Sequence, residues 1–176
     1  FSRMEEDLAR QAYQLGKDAR DWKIQLAQQD LKHNGGPYRE NVVPILYRPF
    51  DLRYTYFTGR SRGFHCMPRY EVMRHMLAGN NISLLWIRPM SPKYEFSVLC
   101  SSWIVDQCVV GNKSAGAGIS YLGSLYLYPP TEKPELFHTS KQPNLAEGLL
   151  PRLAAAYGYN PTPEEVLAAV EEAGCR

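Results

Sequence analysis

YRPFDLRYTYFTGRSRGFHCMPRYEVMRH, residues Tyr47 to His75, contains both kinds of local structure from which this chain is built. Tyr54 to Phe57 reads as a short extended segment. After a polar loop punctuated by Gly59 and Gly63, Pro68 to Leu77 reads as a helix, with Val72, Met73, Met76 and Leu77 on one apolar face and Gly79 placed to stop it. The same stretch concentrates charge. Arg48, Arg53, Arg60, Arg62, Arg69 and Arg74 stand against Asp51 and Glu71, a local charge of +4 (six minus two) in a chain that totals only +2. Guanidinium forks hold phosphates and flat rings meet bases or sugars, so arginine interleaved with aromatics points toward nucleic acid.

Working outward, Val42 to Tyr47, Ile82 to Ile87, Phe96 to Cys100, Ile104 to Val110 and Ser124 to Tyr128 join Tyr54 to Phe57 as predicted strands of a mixed sheet. Together with Pro68 to Leu77 they predict an α+β middle. Towards the N-terminus, Ser2-Arg3-Met4-Glu5 fits a capping box. Met4, Leu8, Ala12, Leu15, Ala19, Trp22 and Leu26 follow at helical spacing. One helix, or two broken near Asp21, is expected to end around His33-Asn34-Gly35-Gly36-Pro37. Its narrow apolar stripe either packs on its own domain or docks as a connector onto further domains. Beyond Tyr128-Pro129-Pro130 a proline-rich linker runs to about Asn144. Helical patterns follow at Leu145 to Tyr157 and, capped by Thr162-Pro163-Glu164-Glu165, at Pro163 to Ala173. The expected organisation is a helical segment over 1–36, an α+β core with short flanking helices over 37–130, and a linker with C-terminal helices over 131–176.

Composition bounds the possibilities. A chain of 176 residues with 44% hydrophobic and 22% charged content is globular, and its near-balanced charge means that nucleic-acid binding must rest on a patch. No apolar run approaches the roughly 20 residues that span a bilayer, and the amphipathic N-terminus lacks a signal-peptide core, so a soluble cytoplasmic protein without a membrane partner is expected. Cys66, Cys100, Cys108 and Cys175 are too irregularly spaced for a disulfide framework or zinc site, and reduced thiols are expected. Starting at Phe1, the sequence reads as a piece of a larger protein.

Catalytic signatures are absent from the sequence. Gly111-Asn112-Lys113-Ser114 lacks the Gly-Lys pair of a phosphate-binding loop, and no dinucleotide-binding glycine pattern follows a strand. Gly116-Ala117-Gly118 is either a loop against a ligand backbone or a plain connection. No nucleophile elbow appears, and Asp51, Glu71, Glu95 and Asp106 do not form the acidic and lysine pattern of a nuclease. In the arginine stretch, Tyr47 to Asp51 has the composition of a structural pin, with Arg48 and Asp51 pairing with each other or with backbone, while Tyr47, Phe50, Tyr54 and Phe57 fill a core. Arg60 and Arg62 differ. They sit beside Gly59 and Gly63 in a polar loop in which nothing structural demands a guanidinium, so contact with phosphate or a guanine edge stands at least level with idle solvation.

Tyr47-Arg48-Pro49-Phe50-Asp51 with Arg53, the Tyr56-Phe57 pair, Pro68-Arg69-Tyr70-Glu71-Val72-Met73, His75-Met76 and Asn81-Ile82 resemble the C-terminal region of type ISP restriction-modification enzymes and related adenine-specific DNA methyltransferases. Asp106, Asn112-Lys113-Ser114, Leu125 to Pro129 and Thr162 to Glu165 occur in the same order as in that family, so the likeness runs from about Trp22 to Val166. The resemblance implies a target recognition domain that is itself non-catalytic, preceded in its parent by a nuclease, a helicase-like ATPase and an N6-adenine methyltransferase. The fragment would need no cofactor, whereas the parent would use S-adenosylmethionine, and ATP with magnesium. The Asn-Pro-Pro-aromatic motif that holds the target adenine is absent from these 176 residues, as is the S-adenosylmethionine-binding loop. Leu167 to Ala173 departs from the family, being small and polar where an aromatic-rich helix would usually continue.

The expected partner is double-stranded DNA. Arg60, Arg62 and Arg69 are the leading contact candidates, Lys113 is expected to clamp backbone phosphate, and Arg53 and Arg88 are further candidates. The alternative is a module that couples the methyltransferase to a motor or nuclease, its arginines spent on internal salt bridges.

Overall fold

A computed structural model describes residues 1–87, 98–110, 119–129 and 141–174, and it is an α+β fold. The chain divides into two compact units, one formed by Phe1–Ile45 with Arg53–Met73 and the other by Leu46–Leu52 with Arg74–Arg176.

The first unit opens with two helices, α1 (Glu6–Ala12) and α2 (Ile24–Lys32). The expected single helix, or pair broken near Asp21, is interrupted earlier and for longer. Tyr13 to Lys23 is not helical because Arg10 draws it into a loop, donating to Asp18 and Glu6 and to the Gly16 carbonyl, while Gln14 and Arg20 adopt positive φ. Nor is Ser2 the cap. The Glu5 carboxylate accepts from the Asp7 and Leu8 amides, which places α1 three residues further on. The far boundary follows expectation, with Asn34 and Gly35 at positive φ after α2. Ala9, Ile24 and Ala27 are fully buried, and the Gln28 side chain donates to the carbonyls of Phe1 and Met4, fastening α2 to the N-terminus.

Strands β1 (Val42–Arg48) and β2 (Asp51–Tyr56) form a hairpin, and helix α3 (Tyr70–Leu77) follows. The chain passes between the units within each of these three elements.

In the second unit β3 (Ser83–Ile87) lies at the centre of an antiparallel sheet between β4 (Val98–Ser101) and β6 (Ser120–Ser124), pairing Leu85 with Leu99 on one side and Leu122 on the other. Between them β5 (Ile104–Val105) completes the β2-β1-β5 order of another sheet. The strand expected over Ile104 to Val110 stops at Val105 because the Asp106 carboxylate accepts the Cys108 amide and its carbonyl accepts from Val109, a side-chain turn that ends the ladder. The segment expected as a strand over Ser124 to Tyr128 is split. Ser124 ends β6, and β7 (Tyr126–Leu127) pairs with β8 (Gln142–Pro143).

Asn81 holds this bend. Its side chain donates to the carbonyls of His75 and Tyr126 and accepts from the amides of Ile82 and Tyr126. Leu125, Tyr126 and Leu167 form a buried cluster, packed by Ile82, Leu84, Cys100, Tyr128 and Leu145. Helices α4 (Leu149–Tyr157) and α5 (Pro163–Gly174) close the chain. The expected capping box is present on α5, where Thr162 Oγ1 accepts the Glu165 amide at 3.2 Å and Glu165 Oε2 accepts the Thr162 amide at 2.7 Å.

Candidate nucleic-acid interface

The loop from Phe57 to Arg69, in the first unit, is shaped by two carboxylates that the sequence reading did not single out. Asp30, at the end of α2 and 4% exposed, accepts from the Thr58 hydroxyl at 2.9 Å and from the Phe64 amide at 2.9 Å. Asp21 accepts from the Cys66 thiol at 3.0 Å and the Met67 amide at 3.2 Å. Trp22 Nε1 adds a bond to the Phe64 carbonyl at 3.0 Å. A loop of polar residues would sample many conformations, so these bonds fix one path at both ends of the arginine segment.

The two glycines around that segment are there for space. A Cβ on Gly59 would lie 2.2 Å from the Tyr70 ring, and Gly59 also has a φ of +75°. A Cβ on Gly63 would lie 2.5 Å from Asp30 Oδ2. Arg60, Ser61 and Arg62 between them are all exposed. Arg62, Met67 and Arg69 adopt left-handed φ of 60°, 49° and 47°, a cluster of backbone conformations that L residues rarely hold and that the pins sustain. A cleft of about 290 Å³ opens beside the loop, lined by Asp21, Gly59, Ser61, Met67, Arg69 and Glu71 among others.

Burial would push the Asp21 carboxyl up, but hydrogen bonds from Cys66, Met67 and the Arg62 backbone outweigh it and leave Asp21 below the ordinary carboxylate value. Burial and the Asp21 acceptor together push the Cys66 thiol up to about 11. Cys66 is therefore a protonated donor at neutral pH, a structural thiol and not a nucleophile.

The expected contact residues fare differently. Arg62 and Arg69 are exposed and, among the described residues, their side chains have no hydrogen bond or ion pair. Arg60 is half exposed but has a structural neighbour, Asp30, with Nη1 3.9 Å from the carboxylate. This amends the expectation that nothing structural engages it. Arg53 is exposed on β2 and takes part in a contact of its own. Arg88 and Lys113 lie outside the described residues, as does Gly116-Ala117-Gly118.

In the second unit, the turn between β1 and β2 departs from the expected aromatic core. Phe50 is 96% exposed at a φ of +64°. Tyr54, which belongs to the first unit, is 72% exposed on β2, and of the four aromatics proposed for the core only Phe57, also in the first unit, is buried. A two-residue turn leaves its second residue no route back to the core, and the outer face of the edge strand is open. The carboxylate set against Arg48 is Asp106, 58 positions on, at 2.8 Å. The Arg48 guanidinium also lies over the Tyr47 ring, 4.1 Å from its centroid.

Among the described residues no group of three or more metal-capable side chains is brought together. The chain belongs to the type ISP C-terminal specificity domain family, whose model matches residues 1–170. No curated protein matches it. A chain in the cryo-EM structure of the DrdV–DNA complex is similar in fold, with a TM-score of 0.55 at 14% identity over 94% of this chain. This chain spans only 15% of that chain's length.

Proposed function

We propose that this chain is the DNA target recognition domain of a restriction-modification enzyme, reading a short asymmetric sequence for an N6-adenine methyltransferase carried elsewhere in the same parent. Membership of the specificity-domain family carries the reading. The pinned loop supports it, because the Arg62 and Arg69 side chains have no hydrogen bond or ion pair among the described residues. Arg62 and Arg69 are the leading candidates for base edges or phosphates, Arg60 is a contact in competition with Asp30, and Arg53, Arg88 and Lys113 are backbone candidates. In this reading S-adenosylmethionine, and ATP with magnesium, serve upstream domains and the fragment transfers no group itself. No helix among the described residues is long and apolar enough to cross a membrane.

The test is selection from a random duplex pool, followed by titration of the selected and scrambled duplexes at several salt concentrations. Recovery of one short site, bound more tightly than scrambled DNA and weakened by salt, is expected. Binding without dependence on salt or sequence would return the chain to the coupling role.

A further inference from the structure

We propose that Phe50 is a wedge that enters between stacked base pairs and distorts the duplex at the recognised site. This rests on the DNA-recognition reading and adds to it a mechanical element, separate from the arginine loop. Phe50 is the second residue of the turn joining β1 to β2, and neither backbone nor burial accounts for a phenylalanine there. Its φ of +64° suits glycine or asparagine, and its ring, 96% exposed, contributes nothing to a core.

The support beneath the tip is stiff. Arg48 Nη1 is 2.8 Å from Asp106 Oδ1, that same oxygen accepts the Cys108 amide at 3.0 Å, and the Asp106 amide donates to the Leu46 carbonyl at 3.0 Å. Pro49, also exposed, has its φ fixed by its ring.

Proline and phenylalanine are among the apolar side chains that part base steps and kink a duplex, and a two-residue turn is a narrow enough mount to bring them into a groove. Arg48 and Asp51 bound the turn with charge, and the exposed apolar side chains that follow on β2, Leu52 at 45% and Tyr54 at 72%, are single residues set between Asp51 and Arg53 or beyond it. A protein partner would need about 800 Å² on this side, far more than such a tip presents.

The experiment uses the 176-residue chain and the duplex recovered by selection, with 2-aminopurine placed at successive positions. Binding is expected to raise the fluorescence several-fold at one step. Phe50→Gly should abolish that rise and weaken binding roughly tenfold, the scale of a lost unstacking contact. Its melting temperature should stay level or increase, since glycine suits the backbone and no buried contact is removed. Phe50→Trp should retain the rise. An undiminished rise in Phe50→Gly, or no rise at any position although the wild type binds, overturns the wedge and leaves the recognition reading standing. Loss of the rise together with a lowered melting temperature assigns Phe50 to folding and overturns it as well. A wild-type chain that binds no duplex overturns the recognition reading and the wedge with it.

Discussion

Arg62 and Asp30 stand at opposite ends of one design, a cation left to solvent and a buried anion that shapes the loop beneath it. Arg62→Ala and Arg69→Ala should each cost about 1–3 kcal/mol of binding if they grip base edges, and each should relax preference at one position of the selected site. Equal losses on selected and scrambled duplexes would reassign them to phosphate. Asp30→Ala acts differently. It strips the acceptor from the Thr58 hydroxyl and the Phe64 amide, so urea denaturation should show a loss of about 2–4 kcal/mol, with weakened DNA binding as the loop loses its path. Asp30 was not legible in the sequence as a pin, since an acid on a helix is usually a solvated face. Its role becomes visible only when α2 and the loop, 28 positions apart, are brought together.

Element boundaries fall where side chains capture backbone. Asn81 and His75 do so for the second unit. His75 Nδ1 accepts the Tyr128 amide at 2.9 Å while Arg74 donates to the Tyr128 carbonyl at 2.8 Å. Burial, reinforced by the Arg74 charge, holds His75 below its ordinary value of 6.5. A depressed folded value means that the unfolded chain binds the proton more readily. The stability His75 contributes is therefore present above about pH 6.5 and is lost as pH falls from there through the lower folded value. Denaturant midpoints measured across this range should decline with acid, and His75→Gln should flatten that part of the curve. Asp21 and Glu164, each lowered from its ordinary value by hydrogen bonds to the carboxylate, give a second decline at lower pH, as each must take up a proton there. The sequence made β1, β3, α3, α5 and its cap readable through period and punctuation. It missed most of β6, because Ser120-Tyr121-Leu122-Gly123-Ser124 gains strand character only from pairing with β3.

At the level of the whole molecule, contacts group Arg53–Met73 with the N-terminal residues and Leu46–Leu52 with the C-terminal ones. No local pattern reports such interleaving, because it depends on which distant segments meet. The recognition reading was more legible, since ordered family motifs survive where spatial contacts cannot be inferred. Global charge sets a further expectation. A net charge of +2 offers little long-range attraction, so DNA affinity should come from a few localised cations. Three or four phosphate contacts predict a slope of log K against log salt of about −3, measurable in the titration and much shallower than for a broadly basic protein.

Gly59 and Gly63 separate what the fold requires from what it tolerates. Steric closeness to Tyr70 and Asp30 forbids side chains at the two ends of the turn, while the three positions between them face outward. Arg60-Ser61-Arg62 is thus an exposed segment bounded by two positions that the fold restricts to glycine. If the proposed reading holds, exchanging Ser61 and Arg62 is expected to shift target preference while the melting temperature changes little, which selection from a random duplex pool and thermal denaturation would check.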